Sequence, residues 1–383
     1  MLLKVNILKY LSSNVEFILI GLFAISLFIQ LLYYLILYSK FLFHKKEDSN
    51  TEQKPVSVII CARNEAENLD QNLPAILTQE YPNYEVIVVN DCSNDHTDEI
   101  LGKYLKEFKH LRTTNISEDK KFSHGKKLAL TIGIKAAKNE ILVLTDADCE
   151  PASNQWLARI QQNFTSDKSI VLGYGGYKRR KSLLNNYVRY DTLTIALQYF
   201  SYAVAGNPYM GVGRNLAYRK SLFFENKGFA NHYHLLSGDD DLFINETATG
   251  TNTAVEFSSE SHTRSEAEQT LKDWIKQKRR HLTTSSLYKF KHKFLLGGEV
   301  LSRFVYYASF AVLVSAFPIS KYIMGAFGLR FLVQLLYTKK TMKLLSEKNL
   351  LVSSLFYDIF SLFINFILFI SNRFRFKRRR QWK

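Results

Sequence analysis

Cysteine is scarce: Cys61, Cys92 and Cys149 are the only three in 383 residues. An odd, small set without paired spacing excludes a disulfide framework and a cysteine-based zinc site. Each lies at or near the end of an apolar run, where cysteine behaves as a small hydrophobe. That fits a reducing compartment. Acidic residues are also short, 35 against 51 Lys and Arg, which leaves a net charge of +16. Such an excess serves nucleic acid, anionic lipid or anionic substrates. No nucleic-acid-binding motif accompanies it, and the densest basic run abuts an apolar segment. The charge is therefore expected to face a membrane, with no nucleic-acid partner. Repeats and low-complexity linkers are absent. Apolar residues are plentiful at 46 %, and the aromatic surplus sits near the two ends.

Phe17 to Ser39 carries no charge and is long enough to cross a bilayer. It is too long for a signal-peptide core, and no small-residue cleavage site follows it. His44, Lys45 and Lys46 come next, which by the positive-inside rule puts the following chain in the cytoplasm, as at a bacterial plasma membrane. Toward the C-terminus, Phe304–Ser320 is uncharged, Tyr322–Thr338 is broken by Arg330, and Leu350–Ser371 is broken by Asp358. Three spans there would leave Arg373, Arg375, Lys377, Arg378, Arg379, Arg380 and Lys383 outside, against the same rule. One segment is thus expected to be re-entrant or interfacial. Arg330 and Asp358 would each be costly alone at membrane depth and are expected to pair.

Between these ends the pattern alternates. Val56–Cys61, Tyr84–Val89 and Ile141–Thr145 read as buried strands, and Glu65–Glu80, His96–Phe108 and Gly125–Lys138 as helices. The expected fold is α/β, a Rossmann-like, mostly parallel sheet flanked by helices, with transmembrane helices at both ends. The expected divisions are an anchor at 1–47, a cytoplasmic catalytic domain at 54–293, interfacial and transmembrane helices at 294–372, and a basic tail at 373–383.

In such sheets ligands bind beyond the carboxyl ends of the strands, and polar clusters stand there. Arg63-Asn64-Glu65 follows the first strand. Asp91 follows the second and suits hydrogen bonds from a base or ribose, while Ser93 and Asp95 suit helix capping. Asp146 and Asp148, two apart on leaving a strand, suit a hard cation such as Mg²⁺ or Mn²⁺; solvated turn aspartates are the alternative. Asp239, Asp240 and Asp241 repel one another, so at least one should titrate high, as a general base requires; an acidic first turn of a helix is the alternative. A helix expected from Leu271 to Phe290 carries Gln277, Lys278, Arg279, Arg280 and His281. Gln277 and Arg280 share a face, and arginine suits phosphate oxygens; contact with anionic lipid is the alternative.

Taken in order, these clusters resemble glycosyltransferase family 2, which has the GT-A fold. Val56–Leu69 (VSVIICARNEAENL) resembles its opening strand and Arg-Asn-Glu turn. Val88–Thr97 (VVNDCSNDHT) resembles its paired-aspartate nucleotide motif, with Asn90 for the first aspartate and Asp91 retained. Gly125–Thr131 (GKKLALT) is similar to its Gly-Lys segment, which implies that Lys126 approaches the donor. Asp146-Ala-Asp148 stands where the family holds its metal, and Gly211–Lys220 (GVGRNLAYRK) resembles the stretch whose Asn215 shapes the donor and acceptor pocket. Gly238-Asp239-Asp240 and Gln277–His281 resemble motifs of the membrane-bound branch of cellulose, chitin and hyaluronan synthases, with His281 where that branch has Trp. The resemblance implies an inverting transfer from a nucleotide sugar, a UDP-sugar being expected, to a polysaccharide or lipid-linked acceptor. Arg63, Glu65, Asp91, Lys126, Asp146 and Asn215 would meet the donor. Asp148, with Asp146, would hold Mg²⁺ or Mn²⁺. Gln277, Arg279, Arg280 and His281 would meet diphosphate or acceptor. Asp240 would be the base, with Asp239 as the one-residue alternative. Whether partner subunits are needed stays open.

Overall fold

The computed structural model describes residues 2–45, 52–117, 125–235, 237–318 and 320–379. Lys46, Arg380 and Lys383, counted above among the flanking charges, lie outside the described residues. The first helix, α1 (Leu2–Leu32), passes through a π-helical stretch (Tyr33–Tyr38) into a last turn, α2 (Ser39–Leu42). The central region follows with β1 (Val56–Ala62), α3 (Ala66–Leu77), β2 (Tyr84–Asp91), α4 (Thr97–Glu107), β3 (Leu111–Ile116), α5 (Lys126–Ala136) and β4 (Ile141–Asp146). Short elements come next: β5 (Cys149–Pro151), α6 (Trp156–Gln161), β6 (Ile170–Leu172) and β7 (Gly175–Tyr177). The long helix α7 (Leu183–Val204) precedes β8 (Leu216–Arg219), α8 (Lys220–Glu225), α9 (Asp241–Thr247), β9 (Thr253–Val255) and β10 (Thr263–Ser265). Four helices close the chain: α10 (Leu271–Leu282), α11 (Phe290–Ala316), α12 (Lys321–Leu344) and α13 (Leu351–Arg379).

Seven strands form the main sheet in the order β3-β2-β1-β4-β8-β6-β9. β1 pairs in parallel with β2 and β4, and β2 with β3, while β8 runs antiparallel between β4 and β6. The sheet is buried on both faces because β1, β2 and β4 are continuous apolar runs rather than alternating ones. Helices cover each face, and two apolar clusters lie on opposite sides of the sheet. One holds Ile59, Val89 and Leu144; the other holds Val58, Val88 and Val143. A second sheet, β5-β10-β7, stands beside the end of β4.

The helix expected over 271–290 is two pieces. It breaks after Leu282 because Thr284 and Tyr288 turn inward to bond the Asp241 carboxylate. α11 then begins at Phe290 and runs through the expected 293/294 division without interruption.

Among the described residues, three helices are long and apolar enough to cross a membrane: Asn14–Leu42, Phe290–Ala316 and Leu351–Ser371. α12, read from sequence as a possible further span, is not among them. It packs as a hairpin on α11, with the Phe310 and Phe327 rings stacked, and its other end bonds α2 through Tyr337 and Ser39 at 2.5 Å. Large apolar side chains such as Phe17, Phe356 and Phe363 point outward along these helices. Their polar groups face inward. Arg330 is fully buried and pairs with Asp358 at 2.9 Å, as its position in an apolar run required. The pair has a third member: Arg303 holds the other Asp358 oxygen at 2.8 Å. Gln30 accepts from Arg330 at 3.0 Å, and Tyr307 donates to Asp358 at 2.5 Å.

Removing one partner of a buried ion pair strands the other charge. Asp358→Asn should therefore lower stability by about 3 kcal/mol or more. The swapped double variant Arg330→Asp/Asp358→Arg should not recover it, because Arg303 would then face a like charge. Thermal unfolding in detergent measures both; full recovery in the swap would show that Arg303 contributes nothing.

Candidate active site

The strand register sets the site. Cys61 lies beside Asp146 and Ala62 beside Asn90, so β1, β2 and β4 end at one level. The loops beyond are stitched together by the turn-forming residues. Asn64, at φ 56°, donates its amide to Ser93 at 2.9 Å and accepts from the Asn94 amide at 2.7 Å. Asp95 accepts from the amides of Ala66 and Thr97, both at 3.1 Å, and so caps the starts of α3 and α4 together. Asn90 is spent on Asp98 at 2.7 Å. Asp91 remains at the strand end, buried at 4 % exposure. Arg63 projects into solvent. Glu65 is half-buried, and burial raises its pKa against the Asn68 hydrogen bond, with Asp146 adding to the rise.

At the centre stands Lys126, the first residue of α5. Its Nζ lies 2.7 Å from Asp146 and 3.3 Å from Asp239. Burial opposes its charge, yet Asp146, Asp239 and Asp240 hold its pKa well above the ordinary value. One cleft is lined by Cys61, Lys126, Asp146, Gly213, Asp239 and Asp240.

The three adjacent aspartates divide their roles. Gly238, at φ +102°, makes the turn that presents them. Burial pushes the Asp239 carboxyl up, but Lys126, a backbone hydrogen bond and Lys127 together outweigh it and the net shift is downward. Asp241 is buried and bonds Thr284 and, at 2.7 Å, Tyr288, so it anchors the chain after α10. Asp240 caps α9, accepting from the amides of Gly213 and Asp241, both at 2.8 Å. Burial, then Asp239 and Asp241, raise its pKa to about 7.

Asp146, Asp148 and Cys149 bring their ligand atoms within 4.8 Å of one another. Burial, then Asp146, raise Asp148 to about 6. The Cys149 thiol is pushed well above its usual range by burial, so it stays protonated and is a poor ligand for a hard ion. The two carboxylates fit a hard divalent cation, and their mutual repulsion is relieved by one.

Asn215 departs from the sequence reading. It is fully buried, accepts from Trp156 at 3.1 Å, and donates to the carbonyls of Tyr174 and Ser261 at 3.0 and 2.7 Å. With amide oxygen and nitrogen both engaged in the core, it has nothing left for a ligand. Its neighbour Arg214, which the motif did not single out, faces the carboxylates instead. Successive side chains of the tight turn Gly213–Asn215 diverge, Arg214 toward the Asp146 and Asp148 carboxylates and Asn215 into the core. The Arg214 guanidinium lies 4.1 Å from the Tyr177 ring centroid and draws the Asp148 pKa down.

On α10, Lys278 is taken by Asp191 at 2.6 Å. Gln277 and Arg279 are half-buried, and Arg280 is exposed. His281 is open to solvent on one side and enclosed by protein on the others. Desolvation, then Arg280, Lys278 and Arg214, lower its pKa to about 4, so the ring is neutral near pH 7.

Comparison with known proteins agrees with this fold. Residues 57–225 match Glycosyl transferase family 2. Glycosyltransferase AglE of Haloferax volcanii is 40 % identical over 106 residues, 27 % of this chain and 33 % of that protein. A poly-beta-1,6-N-acetyl-D-glucosamine synthase of Staphylococcus epidermidis is 34 % identical over 113 residues, 29 % of this chain and 25 % of that one. The matched stretch thus spans a third or less of these curated relatives. The mannosyltransferase PcManGT of Pyrobaculum calidifontis, solved with GDP-Man and Mn²⁺, superposes over 90 % of this chain and 99 % of its own, with a TM-score of 0.58 and 20 % identity, and so shares the fold. The stretch that opens at β1 and extends to the end of α8 thus matches glycosyltransferase family 2.

Proposed function

We propose that this chain transfers a sugar from a nucleotide-sugar donor to a polysaccharide or lipid-linked acceptor, with inversion, at the cytoplasmic face of a membrane. What supports the reading is that Asp146, Lys126, Asp239 and Asp240, from distant stretches of chain, line one cleft. The membrane setting draws on the three apolar helices, with the positive flank of the first directing the domain to the cytosol. The relatives named above are themselves a glycosyltransferase and a glycan synthase, and the fold neighbour holds GDP-Man with Mn²⁺.

Asp91, at the end of β2, accepts hydrogen bonds from the base or ribose of the donor, with Arg63 and Glu65 at the rim. Asp146 and Asp148 would hold Mg²⁺ or Mn²⁺, which when bound supplies positive charge to the leaving diphosphate. Arg214 adds charge at the same place, and Arg279 and Arg280 approach it from α10. Asp240 accepts the proton of the acceptor hydroxyl as that oxygen attacks the anomeric carbon opposite the diphosphate. Asp239 keeps its charge and holds Lys126. Gln277 and His281 face the acceptor side. The neutral His281, standing where processive synthases have Trp, favours a lipid-linked acceptor extended once per cycle. Incubating membranes with a panel of nucleotide sugars and weighing the products decides between a ladder and a single addition.

Asp240→Asn should lower kcat by about a hundredfold or more with donor affinity retained. Asp239→Asn should instead weaken donor binding, because Lys126 loses one of its two partners. Normal turnover in purified Asp240→Asn would transfer the base role elsewhere.

A base works only when ionised, so activity should be lost as pH falls through its pKa. The kcat/KM profile should show an acidic limb centred near pH 7, the value of about 7 to which Asp240 is raised. An ordinary carboxylate would put that limb near about pH 4.

Asp148→Asn should weaken Mn²⁺ binding, read by titration against a spectroscopic indicator, and chelation should abolish transfer. An unaltered Mn²⁺ response would remove Asp148 from the donor set.

A further inference from the structure

One buried carboxylate plays no part in this chemistry. Glu347 lies in the turn between α12 and α13, with its side chain 1 % exposed. One of its oxygens takes the Arg264 guanidinium and, at 3.0 Å, the Tyr174 hydroxyl; the other takes Arg189. Both arginines also grip the turn by its carbonyls, Arg264 at Leu345 (2.9 Å) and Arg189 at Lys348 (3.0 Å). Ser346 and Asn349 adopt φ 54° and 62° to bring the turn into this position. Arg264 crosses β7 over Gly176, where a Cβ would come within 2.2 Å of its Nη1.

Arg264 is the middle residue of β10, and side chains alternate along a strand. While Arg264 points to Glu347, its neighbours Thr263 and Ser265 both hold Arg214. The Thr263 hydroxyl donates to the Arg214 carbonyl at 2.9 Å, and the Arg214 guanidinium donates to the Ser265 hydroxyl at 3.3 Å. β10 also pairs with β5, placing Ser265 beside Cys149, the residue after Asp148. An unbroken series of contacts therefore runs from the turn between the last two helices to the metal-binding carboxylates.

We infer that Glu347 is a positioning residue for Arg214: by locking Arg264 it fixes β10, and β10 aims Arg214 at the donor diphosphate. The inference rests on the transferase reading above. It makes donor binding depend on how the α12–α13 turn docks on the catalytic domain.

Glu347→Gln keeps the volume and removes the charge. Binding of UDP and GDP in the presence of Mn²⁺ is followed by calorimetry on the full-length protein in detergent, with a melting curve for each variant. The better-bound nucleotide should lose about tenfold in affinity, a coupling of ordinary size. In turnover the loss should fall on donor KM and leave kcat within about twofold. Arg264→Lys, which keeps the charge but cannot hold Glu347 and the Leu345 carbonyl together, should give the same loss should the glutamine variant fold poorly. Tyr174→Phe removes one hydrogen bond to Glu347 while keeping the ring against Arg264 and both arginine pairs, and should bind normally. The Arg214→Lys/Glu347→Gln double variant should be no worse than Arg214→Lys alone. Unchanged affinity in both Glu347→Gln and Arg264→Lys, or losses that add in the double variant, overturns the assignment while leaving the transferase reading intact. Wild-type protein that binds neither nucleotide sinks both.

Discussion

The bridge from Lys126 to Asp146 and Asp239 is the contact on which the cleft depends. Asp146, Asp148, Asp239 and Asp240 are crowded into one partly desolvated space, and Lys126, Lys127 and Arg214 offset them in part. Burial first, and then the neighbouring carboxylates, raise the pKa values of Asp148 and Asp240. A divalent cation beside Asp148 would supply the missing charge on one side. On the other, Asp240 is left as a carboxyl that takes up a proton near neutrality. The same crowding would thus serve both the proposed cation site and the proposed base, and Lys126 bridges the two groups.

Much of this was legible in sequence because its physics is local. β1, β2 and β4 are continuous apolar runs, and a polar cluster directly after such a strand has one place to go. Arg330 and Asp358 were legible for a related reason: each interrupts an apolar run, and a lone charge there is untenable. Arg303 was not, since it sits at the margin of its apolar segment, where a charge looks ordinary. β3 escaped because Leu111–Ile116 is largely polar, which an edge strand tolerates and a periodicity reading does not recognise. Strands of three residues, such as β5, β7 and β10, are too short to carry any period.

Side-chain direction was the least legible quantity. Asn215 and Arg214 are adjacent, and the motif favoured the amide. Which one turns inward depends on Trp156, Tyr174 and Ser261, all distant in sequence. The Asp239–Asp241 triplet posed the same problem, and partners again resolved it: Lys126 for one, Gly213 for the next, Thr284 and Tyr288 for the third.

These partners also decide what the membrane helices do for the cleft. Asp240 caps α9, and α9 is bolted to the head of α11: Asp241 bonds Tyr288, while Asn245 accepts from the Lys289 amide at 2.9 Å and bonds His292 at 2.9 Å. Arg214 belongs to the other half, tied through β10 to the turn between α12 and α13. Asp240 and Arg214 are therefore tethered to different helical elements. Those elements meet where Asp358 on α13 joins Arg303 on α11 to Arg330 on α12. Removing any one member would leave a buried charge uncompensated, so the triad holds the three helices in one arrangement.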